Sequence, residues 1–516
     1  MIAILGNCPS AGNFLTATPF VIINEVSTIA AAYAFAGYAT NATHVSSSGT
    51  ALAKIGIQNA FANAANLAGL SAGTALTTTP GGNGTVPNST IYTLADALAS
   101  CVNSNGAVTG PANPTACYTL FNSATSNGTP AGTIPSDTAT AAINIAHNPG
   151  ANIAAIFGLP TATAPFGPML SAVPNDFTLG IEFTGGGLND PYSIAIDGSG
   201  NAWITNNGNS SVTQLASNGV PISPASGYTG GGLNGLFGGI AIDSSGNAWI
   251  PNYYGNSVTE LSNSGTVLSG TLGFAGTGIH TPYGIAIDGS DNVWLTSFTT
   301  PYNVVKLSNA GAVLSGTTGY TGGALSVPYS VAIDASGNVW IINRKNSSVT
   351  EFSNAGTLLS GANGYTGGGL STPYSIAIDG SGDAWIANYN SNGTFGNSVT
   401  ELSNAGAILS GANGYTGAGL NVTPSIALDG SGNAWIANSS GNSVTEFTNS
   451  GAAITGANGY TGGNMGLPYA VAVDGSGNVW VANQATSTMT ELIGAAIPVV
   501  TPLSVGVKNN TLASRP

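Results

Sequence analysis

All seven tryptophans of the chain, Trp203, Trp249, Trp294, Trp340, Trp385, Trp435 and Trp480, recur every 45 to 50 residues, and none lies before residue 203. Each is preceded six positions earlier by an aspartate: Asp197, Asp243, Asp288, Asp334, Asp379, Asp429 and Asp474. Two residue types held at a fixed offset through seven copies define a structural register. A repeat of this length is one supersecondary unit that buries its apolar face only against its neighbours.

The unit beginning at Pro373 reads PYSIAIDGSGDAWIANYNSNGTFGNSVTELSNAGAILSGANGYTGAGL. Residues 375–379 alternate as a strand, GSG turns a hairpin, Ala384 to Asn388 form a second strand and Ser398 to Leu402 a third. A fourth strand is expected after the Asn-Ala-Gly turn, from about Ile408 to Tyr415. Four antiparallel strands in each of seven units predict a mainly β fold, a seven-bladed β-propeller over residues 177–495. The seventh unit supplies only three strands, ending at Leu492, whereas TLGIEFTGGGL, from Thr178 to Leu188, matches the GYTGGGL end of a fourth strand and precedes the first Asp-Trp pair. The N-terminal strand is therefore expected to close the ring. The tail from Ile497 to Val507 is the competing clasp, confined by Pro498 and Pro502 to an outer edge.

Residues 1–160 read as a small α-helical N-terminal domain. Asn24 to Tyr38 and Ala51 to Leu67 are Ala-rich with helical spacing, and Ile91, Leu94, Leu98 and Cys101 put Cys101 on a buried helix face. Further helices are expected over Ala116 to Ser123, over Asp137 to His147 behind a Ser136 N-cap, and over Ala151 to Phe157. Residues 161–176 have linker character, and residues 496–516 form a C-terminal tail.

Only 5% of the residues are charged, and six Lys/Arg against twenty Asp/Glu give a net charge of −14, so nucleic acid and anionic membrane are unsuited partners. Hydrophobic residues make up 42%, but no uninterrupted apolar run reaches membrane-span length. The surface, rich in Asn, Ser, Thr and Gly and poor in Lys, points to an extracellular or cell-envelope location. Cys101 and Cys117 flank a Gly/Pro/Asn-rich loop and are expected to pair in an oxidising compartment. Cys8 is left over, with a partner upstream of the present start, an intermolecular bridge or an inert buried thiol as its readings. The start, MIAILGNCPS, lacks the basic region and apolar length of a signal peptide, and the true N-terminus is expected further upstream.

The pattern PYxIAIDxSGNxWIxN, followed by SVTEL and NAG, resembles bacterial NHL-type and streptogramin-lyase-like (virginiamycin B lyase-like) repeats over residues 177 to 493. The resemblance implies the propeller fold. For the lyases it also implies a histidine and acidic metal ligands at the propeller mouth. Those proteins show Trp-x-x-Glu where this chain has Trp-x-x-Asn or, at Trp294, Trp-x-x-Ser, so the candidate ligands have lost their charge.

The loops leaving the second and fourth strands share one face, and the near-invariant Asp-Gly-Ser-Gly turns occupy the other. The variable face is the expected binding face. It carries repeated tyrosines (Tyr192, Tyr283, Tyr329, Tyr374, Tyr469) and asparagines (Asn206, Asn252, Asn343, Asn388, Asn438, Asn483), which as repeated positions read as serving the blades. Residues that do not repeat are the binding candidates: Tyr253, Tyr254, His280, Phe298, Arg344, Lys345 and the insertion from Tyr389 to Phe395. The expected ligands are a glycan, a peptide or another envelope protein, with no cofactor. A metal-dependent lyase or hydrolase centred on His280 is the alternative, and only it calls for a divalent metal. His280 has no carboxylate near it in sequence, while the third-strand glutamates, the turn aspartates, His44 and His147 read as structural.

Overall fold

The computed structural model describes residues 21–161, 163–389 and 397–516; Cys8 and the insertion beyond Tyr389 lie outside them. Six three-stranded antiparallel sheets follow one another, from Pro191–Ile196, Ala202–Asn206 and Ser211–Leu215 in the first to Ser425–Leu428, Ala434–Asn438 and Ser443–Phe447 in the sixth. The seventh, Pro468–Val473, Val479–Asn483 and Thr488–Leu492, is extended by Gly180–Phe183 and then by Gly84–Thr85. First strands touch in sequence order around the set, and that of sheet seven lies against that of sheet one. The N-terminal strand thus joins the last sheet, as its GIEF segment predicts.

The Asp-Trp register has a local cause. Trp203 Nε1 donates to Asp197 Oδ2 at 3.0 Å, while Asp197 Oδ1 accepts the backbone N–H groups of Ser199 and Asn201, so one carboxylate caps the hairpin turn and satisfies the buried indole. The Trp bond recurs in every sheet at 3.0 to 3.4 Å, and all seven tryptophans are fully buried. Each indole packs on an aromatic ring from the segment next to the third strand of its sheet: Trp340 on Tyr365 at 5.6 Å, and Trp480 on Phe183 at 5.9 Å. The neighbouring turn closes over that ring. Gly356 has φ +81°, and a Cβ there would sit 2.0 Å from the Tyr320 ring, which fixes glycine in the Asn-Ala-Gly turn.

The fourth strand is not regular. Beyond each third strand of sheets one to six the chain makes two isolated bridges, such as Leu402 with Ile408 and Val399 with Tyr415. Between them run turns in which Gly411 and Gly414 have positive φ, so the ladder cannot continue. The tail is also corrected. Leu503–Asn509 is a helix, and residues 496–504 cross the turn face, where Gly430 N–H donates to Ile497 O, Val499 N–H to Asp474 O and Ser504 Oγ to Ile242 O. Val507 and Leu512 pack beneath sheets four and five.

Helices Glu25–Ala34, Ala51–Leu67, Asn88–Val102, Ala116–Ser123, Thr138–His147 and Ile153–Phe157 precede the sheets. The fifth is capped by Asp137, whose Oδ1 accepts from Thr140 N–H, and not by Ser136. Cys101 and Cys117 are disulfide-bonded and join the third helix to the fourth. The helices share one hydrophobic core with sheets seven and one, through Tyr33, Phe177, Phe183, Ile204 and Trp480. The stretch expected as a linker is tied down: Phe166 N–H donates to Asp96, Leu170 N–H to Thr93, and Phe166 stacks on Tyr92.

Candidate functional site

At the face opposite the Asp-Gly-Ser-Gly turns, the five repeated tyrosines converge through their hydroxyls. Tyr192 bonds Tyr283 at 2.8 Å, Tyr469 bonds Tyr192 at 2.7 Å, and closer contacts join Tyr283 to Tyr329 and Tyr374 to Tyr469. Sheets two and six place Gly238 and Pro424 at this position, so the set has five members. Burial first, then the neighbouring phenols, raises the pKa of Tyr283, Tyr329, Tyr374 and Tyr469 above the usual tyrosine range. These groups stay neutral and serve as a packed plug. A cavity of about 100 Å³ lies behind it, followed by an apolar one of about 260 Å³ between the first strands, floored by Val499, Leu503 and Val507 of the tail.

Over the plug runs an arc of non-repeated aromatics. Tyr254 packs edge-on against Tyr253 at 5.1 Å and Phe237 at 5.6 Å, and Tyr253 meets Phe298 at 5.7 Å. Phe298 in turn stacks on Tyr283 at 5.2 Å. The Arg344 guanidinium continues the arc over the rings of Tyr329, Tyr374 and Tyr389, at 5.3, 5.1 and 5.9 Å. Tyr254 is 62% exposed. Among the described residues the only ion pair is Lys306 with Asp288, so Arg344 has no carboxylate partner.

Five of the sequence candidates, Tyr253, Tyr254, Phe298, Arg344 and Tyr389, therefore lie in one arc. Lys345 is exposed beside Arg344, and His280 is exposed without a hydrogen-bonded side-chain partner among the described residues. Phe237, which sequence reasoning missed, sits at the proline position of its repeat and signals itself only by breaking the PY pattern. The repeated asparagines do not face a ligand. Asn206 is fully buried, donates to Ser211 and Thr213 of the adjacent strand and accepts the Asn189 N–H, closing its own sheet.

The third-strand glutamates are buried beside the turn aspartates. Asn247 Nδ2 bridges Asp243 and Glu260 at 3.1 Å to each, and Tyr365 donates to Glu351 at 2.7 Å. Among the described residues one group has the donor set of a cation site: Asp379, Asp383 and Glu401, where Asp383 stands in place of the usual asparagine. It lies at a turn on the face away from the tyrosines and His280. Its oxygens already accept from the N–H groups of Ser381 and Asn404 and from the Tyr415 hydroxyl.

No protein-family model matches the chain. No curated protein matches it either. Among solved structures it is similar to a streptogramin B lyase, at 18% identity and a TM-score of 0.45, covering 60% of this chain and 93% of the other. It is likewise similar to virginiamycin B lyase from Staphylococcus aureus, solved as a catalytically inactive variant with quinupristin, at 14% identity, a TM-score of 0.45 and coverage of 60% and 96%. A third likeness is to the extracellular domain of a putative one-component system from B. thetaiotaomicron, at 13% identity, a TM-score of 0.44 and coverage of 60% and 40%. These are likenesses of overall shape, and no role is carried over from them.

Proposed function

We propose that residues 177–495 form a seven-bladed β-propeller, preceded by a helical region and floored by the tail, that acts as an extracellular or envelope-associated binding module. Its ligand is a polypeptide partner held on the tyrosine face. The observation that carries this reading is the arc from Tyr254 to Tyr389 with Arg344 over its rings. Tyrosine and arginine give large contact area at low entropic cost, and they dominate binding energy at protein interfaces. Here the rings are fixed by mutual edge-to-face packing on a closed plug, and Arg344 presents unpaired donors. The disulfide between Cys101 and Cys117 suits an oxidising compartment. No described helix is long and apolar enough to cross a membrane.

Selection of a displayed random peptide library on the full chain tests the reading. Peptides enriched on the native protein are expected to lose about tenfold or more in affinity for Tyr254→Ala and Arg344→Ala. Glycan binding that depends on the same residues, without peptide binding, would replace the polypeptide by a saccharide. Selected ligands indifferent to both variants would overturn the tyrosine face as the site. No specific observation favours the lyase reading centred on His280.

A further inference from the structure

A cleft of about 610 Å³ lies where the helical region, sheet six and the tail meet. It is unrelated to the tyrosine face. Its size falls within the roughly 300 to 1,000 Å³ of small-molecule sites. From the helical side it is lined by Tyr38, Ser46 and His147, from sheet six by Asn433, Glu446 and Tyr460, and from the tail by Arg515. No two of these sides are neighbours in sequence.

Of these lining residues Ser46, His147 and Arg515 are exposed, whereas Tyr38, Glu446 and Tyr460 are buried in the wall. His147 Nε2 lies 2.7 Å from Ala36 O, and since a carbonyl only accepts, Nε2 carries the hydrogen. Burial lowers the His147 pKa, so the ring is neutral and Nδ1 is a bare acceptor. His147 is exposed and lines the cleft. Arg515 is also exposed; it uses one N–H, to Gly37 O at 3.2 Å, and has no carboxylate within ion-pair distance among the described residues. Opposite, burial and the charge of Asp429 raise the Glu446 pKa well above the carboxylate range. Asp429 also lines the cleft, and its carboxylate accepts from the N–H groups of Ser431, Asn433 and Ile497 and from Trp435 Nε1. The rings of Tyr38 and Tyr460 are buried in the cleft wall. The ring hydroxyl of Tyr38 is committed to Gly475 O and that of Tyr460 to Glu446.

We propose that this cleft binds a small polyhydroxylated carboxylate of sugar-acid size, its carboxylate on Arg515 and a hydroxyl donating to His147 Nδ1. An unpaired guanidinium selects a planar carboxylate. The neutral acceptor on His147 and the exposed Ser46 hydroxyl match hydroxyls and demand no second charge.

Calorimetric titration of the full chain with D-glucuronate, D-galacturonate and D-glucose tests the assignment. At least one uronate is expected to bind, and D-glucose to bind about tenfold weaker or less. Arg515→Gln is expected to weaken uronate binding by about tenfold or more. Ala453→Trp fills the cleft from an exposed position on sheet six and is expected to abolish binding. Unchanged melting temperatures without ligand verify that both variants fold, and Tyr254→Ala should bind as the native chain does. Absence of binding by both uronates, equal affinity for D-glucose, or binding that survives Ala453→Trp would overturn the proposal.

Discussion

Phe183 stacks on Trp480 with ring centroids 5.9 Å apart, so the strand that enters the ring packs on the sheet that ends it. In sheet four the same place over Trp340 belongs to Tyr365, whose hydroxyl donates to Glu351. Phe183 has no hydroxyl, and Glu491 Oε2 beneath it is buried with no hydrogen-bond partner. Phe183→Tyr is therefore expected to stabilise the fold by about 1 kcal/mol, while Phe183→Ala costs about 3 to 5 kcal/mol. Chemical denaturation of the three proteins measures both. A destabilised Phe183→Tyr would show that the seventh sheet does not share the geometry of the others.

Asp383 breaks a pattern that the other six sheets keep. At its position Asn201, Asn247, Asn338 and Asn478 each donate a side-chain hydrogen bond to the turn aspartate at 2.9 to 3.1 Å. Burial first, then the charge of Asp379, raises the Asp383 pKa. Asp383→Asn should raise stability by about 1 kcal/mol near pH 8. The gain should shrink as pH falls through the raised Asp383 pKa, because the native side chain then takes up a proton. Should calcium raise the melting temperature of the native chain and not of Asp383→Asn, the three carboxylates would be a cation site instead.

Burial, with the neighbouring Asp243 charge, pushes the Glu260 pKa from 4.5 up to about 7, and burial likewise raises Glu351, Glu401, Glu446 and Glu491. The folded chain thus holds protons that the unfolded chain, titrating near 4.3, releases. Stability should fall as pH rises from about 4.3 to about 7 on account of Glu260, and level off above that for this group. Glu260→Gln should remove part of the slope and retain the fold, since Gln214 occupies the equivalent place in sheet one and accepts from Tyr228 at 2.9 Å. Melting temperatures from pH 5 to pH 9 measure this; a native curve as flat as that of the variant contradicts a buried acid at position 260.

What the sequence revealed follows from where each contact lies along the chain. The Asp-Trp offset encodes a bond closed within one hairpin, so the three regular strands of each unit were readable. The helices Ala51–Leu67 and Ala116–Ser123 fall at the expected bounds because propensity and pattern agree there. The fourth strand failed because the segment from Ile408 to Tyr415 bends at glycines with positive φ. The tail failed because Val507 and Leu512 find their apolar partners on sheets far back in the chain. The aromatic arc was partly readable, since its members differ from the repeat. The cleft was not, because His147, Glu446 and Arg515 meet only through tertiary packing, and His147 and Glu446 taken alone read as structural.

The most direct test of the account is a hydrogen-exchange footprint of a peptide selected on the full chain. Slowed exchange is expected in the segments around Gly235 to Phe237, Tyr253 and Tyr254, Phe298 and Arg344, with the Asp-Gly-Ser-Gly turns unchanged. Protection confined to those turns or to the tail would contradict the tyrosine face as the binding surface.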